Sequence, residues 1–302
     1  MALSLDLLRT FLAVYRDGSL TRAAQRLSLS QPAVTAQLKT LEAELGRPLF
    51  TRLPRGVEPT PAAELLAAQV AGPLDQLAAL TLVEQADPFA NPVHLGGPAE
   101  FATARVLPAL AELVADGLRL RAHLGVADDL SQALISGAID IAVTPVRPRH
   151  RGLLVRPLCD ETFVLVAAPR WAGRLPADLP DRDCSRALAD VPLVSYAEDL
   201  PIIRRYWQTV FETRPRRHAA VVVPDLNAVK SAVIAGAGFS VLPDYLCADA
   251  LRSGDLVLLR EPALPPINTL YLAARADALT SPAVAAVHSH LLARSAEWTE
   301  VS

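Results

Sequence analysis

The 302-residue sequence predicts an α/β protein in three parts: an N-terminal winged helix-turn-helix, a linker helix, and a two-lobed α/β body. Three observations predict it. Apolar residues in the first 60 positions recur at helical spacing, broken by capping residues. A longer apolar seam then runs from Pro61 with few breaks. From Val93 onward, short apolar runs alternate with helical stretches, the rhythm of β-α-β units.

In the head, Ser4 is placed to cap a first helix, and Leu5, Leu8, Phe11, Leu12 and Tyr15 fall on one face. Gly18 suits the stop. A second helix over 21–27 turns Ala23, Ala24 and Leu27 inward, and the small alanines let another helix come close. Ser30 caps a third helix, with Pro32 in its first turn, where a missing N–H costs nothing. Val34, Leu38, Leu41 and Leu45 form its buried stripe, and Gly46 ends it. Its other face carries Gln31, Thr35, Ala36, Gln37 and Lys39, none of which helps a core. Short polar and amide side chains near a helix N-terminus are what reads base edges in a major groove. Leu49 and Phe50 then turn inward, and Arg52 and Arg55 flank Pro54 in a short wing beside phosphates.

Charge agrees with that polarity. Residues 1–60 hold eight basic and five acidic side chains, so a +3 head sits on a −6 remainder within a net charge of −3. A basic head on an acidic body points to a polyanion as the head's partner.

The segment 11–52 resembles the winged helix-turn-helix of LysR-type transcriptional regulators. The matching elements are F-x-A-V in helix one, S-x-T-x-A-A-x-x-L in helix two, S-Q-P-A-V-T-x-Q-L opening helix three, and L-E-x-x-L-G-x-x-L-F-x-R closing it. The resemblance implies that Gln31, Pro32, Thr35 and Ala36 touch bases and that Arg52 is the wing arginine. Ala36 departs from the basic or polar residue of many members, which restricts it to a thymine methyl. Ala63 replaces the glycine usual after T-P.

Thr60 and Pro61 open the linker helix, in which Leu65, Leu66, Val70, Leu74, Leu77 and Leu80 make a seam too long for the head to bury. The resemblance implies dimerisation through it; an ordinary helix packed on its own body is the alternative. An interior proline costs about 3 kcal/mol, so Gly72-Pro73 is expected to kink or break it. The boundaries expected are 1–60 for the head, 61–90 for linker and hinge, and 91–302 for the body. Within the body, lobe one takes 91–162 plus 267–302 and lobe two takes 163–266.

Nine strands are expected in the body: VHLGG, LRLRAHLG, IDIAV, LLVRPL, FVLVAA, PLVSY, AAVVVP, FSVLP and TLYLAA. Parallel sheets are expected, with Leu118, Leu120, Ala122 and Leu124 alternating with polar residues, as in a half-exposed edge strand. A-L-x-S-G-x-I-D-I-A-V and V-I-A-G-A-G-F-S-V-L-P resemble the same family's effector domain, itself like periplasmic solute-binding proteins. Ligands of open α/β sheets bind at the carboxyl ends of strands. That selects Pro98, Ala99, Glu100, Phe101, Gly125, Val126, Thr144, Ser195, Tyr196, Leu226 and Asn227 as effector contacts in an inter-lobe cleft. Asp225 reads more readily as a helix cap. No serine or threonine occupies the turn 97–101, where many members hold a carboxylate.

Other functions are disfavoured. A-G-A-G-F follows a helix and precedes a strand, the reverse of a phosphate-binding glycine loop, so Gly236 reads as a helix stop. The six histidines are scattered, and HxxEH, GxSxG and CxxC are absent. No enzyme, metal or cofactor is therefore expected. Cys159, Cys184 and Cys247 read as buried and inert. The interrupted N-terminus and the lack of a long apolar run place the chain in the cytoplasm, off the membrane. The expected partners are double-stranded promoter DNA, a small-molecule effector and a second copy of the chain, as dimer or tetramer. RNA polymerase stays open as a further one.

Overall fold

The computed structural model describes residues 4–53, 56–82, 88–176, 179–215 and 217–298. Its contacts divide the chain into two units. The first holds Met1–Gly97, Leu110–Arg156 and Leu272–Leu292; the second holds Pro98–Ala109, Pro157–Tyr271 and Ala293–Ser302.

The first unit begins with α1 (Leu5–Asp17), α2 (Leu20–Arg26) and α3 (Gln31–Leu45). Gly18 and Gly46 end α1 and α3 in the left-handed conformation that glycine adopts without strain. Ser19 and Ser30 cap α2 and α3 through their side chains, accepting from the backbone N–H of Arg22 and Ala33. Two short antiparallel strands, β1 (Phe50–Arg52) and β2 (Val57–Pro59), make the wing. Glu42 fixes its start by accepting the N–H of Leu49 at 2.7 Å. Leu5, expected inside, is exposed; the buried face of α1 is Leu7, Phe11, Leu12 and Val14.

The linker helix α4 (Pro61–Leu82) is not broken at Pro73 but runs through it as one helix. Ala71 and Leu74, on either side of that proline, are buried in the head's own core, and this burial outweighs the lost hydrogen bond. Leu66 is buried there too, with Val70 packed beside it, so much of the seam assigned to a second chain serves this one. Leu65 and Leu77 remain exposed. The side chain of Leu80 and the hinge positions 83–87 lie outside the described residues.

Lobe one places β3 (Val93–Gly97) between β4 (Leu120–Leu124) and β5 (Ile141–Thr144), paired in parallel with each. β4 is the half-exposed edge strand expected: Leu118 before it is buried, Leu120 is half-buried, and Ala122 and Leu124 are exposed. β4 pairs on one side only, with β3.

The strands expected at 153–158 and 163–168 are one strand, β6 (Leu153–Ala167), whose chain passes from the first unit to the second. Within the second unit are β7 (Val194–Ser195), β8 (Val221–Val222), β9 (Phe239–Pro243) and β10 (Val257–Arg260), and β11 (Ile267–Arg275) leads back out. β10 was not expected. β9 and β10 pair antiparallel with β6, so this part of the body is mixed rather than parallel. Its core centres on Tyr206, Trp207, Phe211 and Phe239, with the Trp207 and Phe239 rings stacked at 6.0 Å. The segments 98–109 and 293–302 belong to this unit and not to lobe one as expected. Phe101 meets Tyr245 and Trp298 edge-on at 5.8 and 5.5 Å, which ties both segments in.

Candidate nucleic-acid interface and effector domain

The outer face of α3 is where the head's unspent polar groups collect. Gln31, Pro32, Thr35, Ala36, Lys39, Arg52 and Leu20 surround one open surface depression of about 490 Å³. The capped start of α3 positions the first four, and the wing returns Arg52 beside them. Thr35 Oγ1 donates to the Gln31 carbonyl at 3.0 Å, which fixes the hydroxyl while leaving its oxygen free to accept. Gln37 is different. Its Oε1 accepts from Thr10 Oγ1 at 2.5 Å, so it braces α3 on α1 and does not face outward. Arg55 and Pro54 lie outside the described residues.

The expected effector contacts fall into two sets. Gly125, Val126 and Thr144 lie in the first unit; Pro98, Ala99, Glu100, Phe101, Ser195, Tyr196, Leu226 and Asn227 lie in the second. In the second unit, the turn Ala99–Phe101 packs against the helix Leu226–Ile234. Asp225 caps that helix, accepting the Asn227 N–H at 2.9 Å. Burial raises the Glu100 carboxyl above its usual range and the nearby Asp225 adds to it. Burial also pushes the Tyr196 hydroxyl up to about 12, with help from Asp199, Glu100 and Glu161.

Two hydroxyls are already committed. Thr144 Oγ1 donates to the Val146 carbonyl at 3.0 Å, and Ser195 Oγ to the Ala197 carbonyl at 2.9 Å. Both are buried in their own turns, so neither is an open handle for a ligand. Phe101 and Leu226 are core residues rather than exposed apolar walls. Glu100, Tyr196 and Asn227 remain partly exposed.

All three cysteines are buried and free, and burial pushes the thiols of Cys159 and Cys247 up to about 12, away from the reactive thiolate. Gly236 follows the helix end with φ of +85°, as a stop does. Among the described residues no group of three His, Cys, Asp or Glu is arranged to hold a metal, and no helix is long and apolar enough to cross a membrane.

Comparison with known proteins decides the family. Residues 5–64 match the family described as bacterial regulatory helix-turn-helix protein, lysR family, and residues 86–296 match the LysR substrate binding domain. The chain belongs to the LysR family. It is 47% identical to the HTH-type transcriptional regulator AbaB of Streptomyces antibioticus, over 98% of this chain and 100% of that one. It is 32% identical to the regulator PtxR of Pseudomonas aeruginosa, covering 85% and 82%. Among solved structures, ArgP from Mycobacterium tuberculosis shares the fold with a TM-score of 0.74 at 23% identity, over 97% of this chain and 98% of that one. This LysR-type regulator therefore joins a DNA-binding head to an effector-binding domain, and its relatives are transcriptional regulators rather than enzymes.

Two features were hidden from sequence reasoning. Arg16, Asp75, Asp140 and Arg275 meet in the first unit, joined by pairs up to 200 positions apart. His94 Nδ1 lies 3.1 Å from His123 Nε2 across neighbouring strands, although the two are 29 positions apart. Burial, with Arg16 nearby, drives His94 down to about 2, so this is a neutral pair.

Proposed function

We propose that the outer face of α3 reads promoter DNA. Gln31, Pro32, Thr35 and Ala36 face base edges in the major groove, while Lys39 and Arg52 face phosphates. The observation that carries the reading is the single surface depression that gathers these six residues from a helix and a wing. One head covers one half-site, so the regulator acts as a homodimer or a larger symmetric assembly on DNA in the cytoplasm. Among the described residues of α4, Leu65 and Leu77 are exposed large apolar residues available to a partner chain. No catalytic step is part of this function. A small organic effector binds the second unit around Glu100, Tyr196 and Asn227, the expected polar contacts that stay partly exposed there beside Pro98 and Ala99.

The test is specific against non-specific binding at fixed salt. Gln31→Ala and Thr35→Ala are each expected to cost about 1–3 kcal/mol on the operator while leaving random DNA nearly unchanged. Equal losses on both would show that this face does not read bases. For the effector, ligand at a hundred times its Kd is expected to stabilise the full chain by about 2.7 kcal/mol. A metabolite panel that moves wild type but not Tyr196→Phe locates the site.

A further inference from the structure

Three parts of the first unit that lie far apart in the sequence meet at one guanidinium. Arg16 stands in the last turn of α1, in the DNA-binding head. Its Nη1 and Nη2 donate to Asp75 Oδ1 and Oδ2 on α4 at 3.0 and 2.9 Å. Its Nε donates to the Gly137 carbonyl of lobe one at 3.1 Å, and Nη2 also lies 3.5 Å from Asp140 Oδ1. Arg275, at the end of β11, closes the ring: Nη2 is 2.5 Å from Asp75 Oδ2 and 3.2 Å from Asp140 Oδ1. Asp277 stands 3.5 Å from Arg275 Nη1. Asp140 is held from its own lobe by the His94 N–H at 2.9 Å.

The packing around this ring is uneven. The linker helix fits lobe one closely: a Cβ on Gly72 would meet Asp277 Oδ2 at 1.6 Å, and one on Gly137 would meet Ala71 Cβ at 2.4 Å. The head does not. A cavity of about 220 Å³ lies at the joint, lined by residues of all three parts, among them Leu12 and Arg16 of the head, Leu74 and Asp75 of α4, and Asp140 and Val284 of the lobe. Buried charges are a poor way to gain stability, since apolar side chains of similar size do as well or better, but a bidentate arginine accepts only one geometry.

We propose that Arg16 is the positioning residue of the DNA-binding head, holding it at one setting on lobe one so that the lobe dictates where the head points. Beside the apolar packing of α4 on the head and a Tyr15 hydrogen bond to Ser136, the guanidinium fork is the charged, directional contact that joins head, linker and lobe at one point. The consequence for spacing of half-sites rests on the proposal that two heads share one operator.

The test uses the full chain. Removing Arg16 alone leaves two carboxylates sharing Arg275, so the informative variant is the charge-balanced Arg16→Met/Asp75→Leu, which leaves Arg275 with Asp140 and Asp277. Spin labels at Glu44→Cys in the head and Asp129→Cys in lobe one, in labelled protein diluted with unlabelled, report the setting directly. A narrow distance distribution in wild type and a broad one in the folded double variant is expected. Equally narrow distributions overturn the proposal, and Arg16→Lys, which keeps the charge without the fork, should fall between. Binding to operators whose half-sites are moved in single base pairs gives the functional readout. Wild type is expected to prefer one spacing by about tenfold and the variant by under about threefold. If wild type shows no spacing preference, shared operators fail while the distance measurement still decides Arg16.

Discussion

Two carboxylates, the half-buried Asp75 of the first unit and the buried Glu161 of the second, are driven in opposite directions. Burial works to raise Asp75, but Arg16 and then Arg275 outweigh it and hold the carboxyl below its usual range. Burial raises Glu161 as well, and there it wins: Asn268 donates at 3.0 Å and lowers it a little, Glu100 raises it further, and the group settles at about 7. The difference teaches that depth does not fix the ionisation of a carboxyl here; the residue opposite does. A guanidinium fork keeps Asp75 charged, and an amide leaves Glu161 only partly ionised near neutral pH.

The comparison breaks most visibly if the fork is removed. Arg16→Leu alone leaves Asp75 and Asp140 with a single arginine between them, and is expected to destabilise the first unit by about 3–5 kcal/mol. Chemical denaturation followed by a probe in the head measures it. A loss below about 1 kcal/mol would mean that water replaces the guanidinium at little cost. Arg16 itself is held above the ordinary arginine range, because Asp75 and Asp140 outweigh its burial, so no accessible pH discharges it.

The second prediction is a pair of opposite pH slopes. Asp75 is depressed in the folded chain, so its contribution is present above the unfolded carboxylate range and is lost as pH falls through the folded value. Glu161 is raised, so its contribution is present below about 4.5, its unfolded value, and is lost as pH rises through about 7. The size, for a shift from 4.5 to about 7, is on the order of 3 kcal/mol. The second unit should weaken between pH 5 and 8 in melting curves, and Glu161→Gln should flatten that slope. A variant with the wild-type slope would place the titration elsewhere.

The head was legible because its determinants are local. Caps at Ser19 and Ser30, glycine stops and the stripe Val34, Leu38, Leu41 all lie within one or two turns of the residues they organise. The gathering of Gln31, Thr35 and Lys39 follows from helical periodicity, and Arg52 from a wing of fixed length. The body was legible as strands but not as pairings. A run of apolar residues marks β6 and β9 equally well, and nothing local states that they run antiparallel. Hydroxyls were misjudged for a related reason: Thr144 and Ser195 sit at strand ends as a ligand site would require, but each turn takes its own hydroxyl. Arg16 carried no signal, since an arginine in the last turn of a helix also complements the helix dipole on any solvated surface.

Pro73 sharpens the account of Asp75. The carboxylate reaches both arginines only because α4 continues through the proline two positions before it. Restoring the backbone donor with Pro73→Ala at this exposed position is expected to stabilise the first unit by about 1–2 kcal/mol, with operator binding unchanged. Destabilisation by a similar amount would show that the proline sets a bend on which the joint depends.

The smallest effect on stability is expected at the other arginine of this comparison. Arg52 stands exposed on the wing and lines the same depression as Gln31 and Thr35. It has the side chain of Arg16 without the burial, so Arg52→Ala should change folding by no more than about 0.5 kcal/mol. Its effect belongs to DNA. A guanidinium on a phosphate releases counterions whatever the sequence, so its loss should weaken operator and random DNA alike and lower the salt slope by about one. An unchanged slope with altered sequence preference would move Arg52 from the phosphates to the base edges of the minor groove. Measured beside Arg16→Leu, the pair separates a guanidinium held by carboxylates of its own chain from one left to bind an anion.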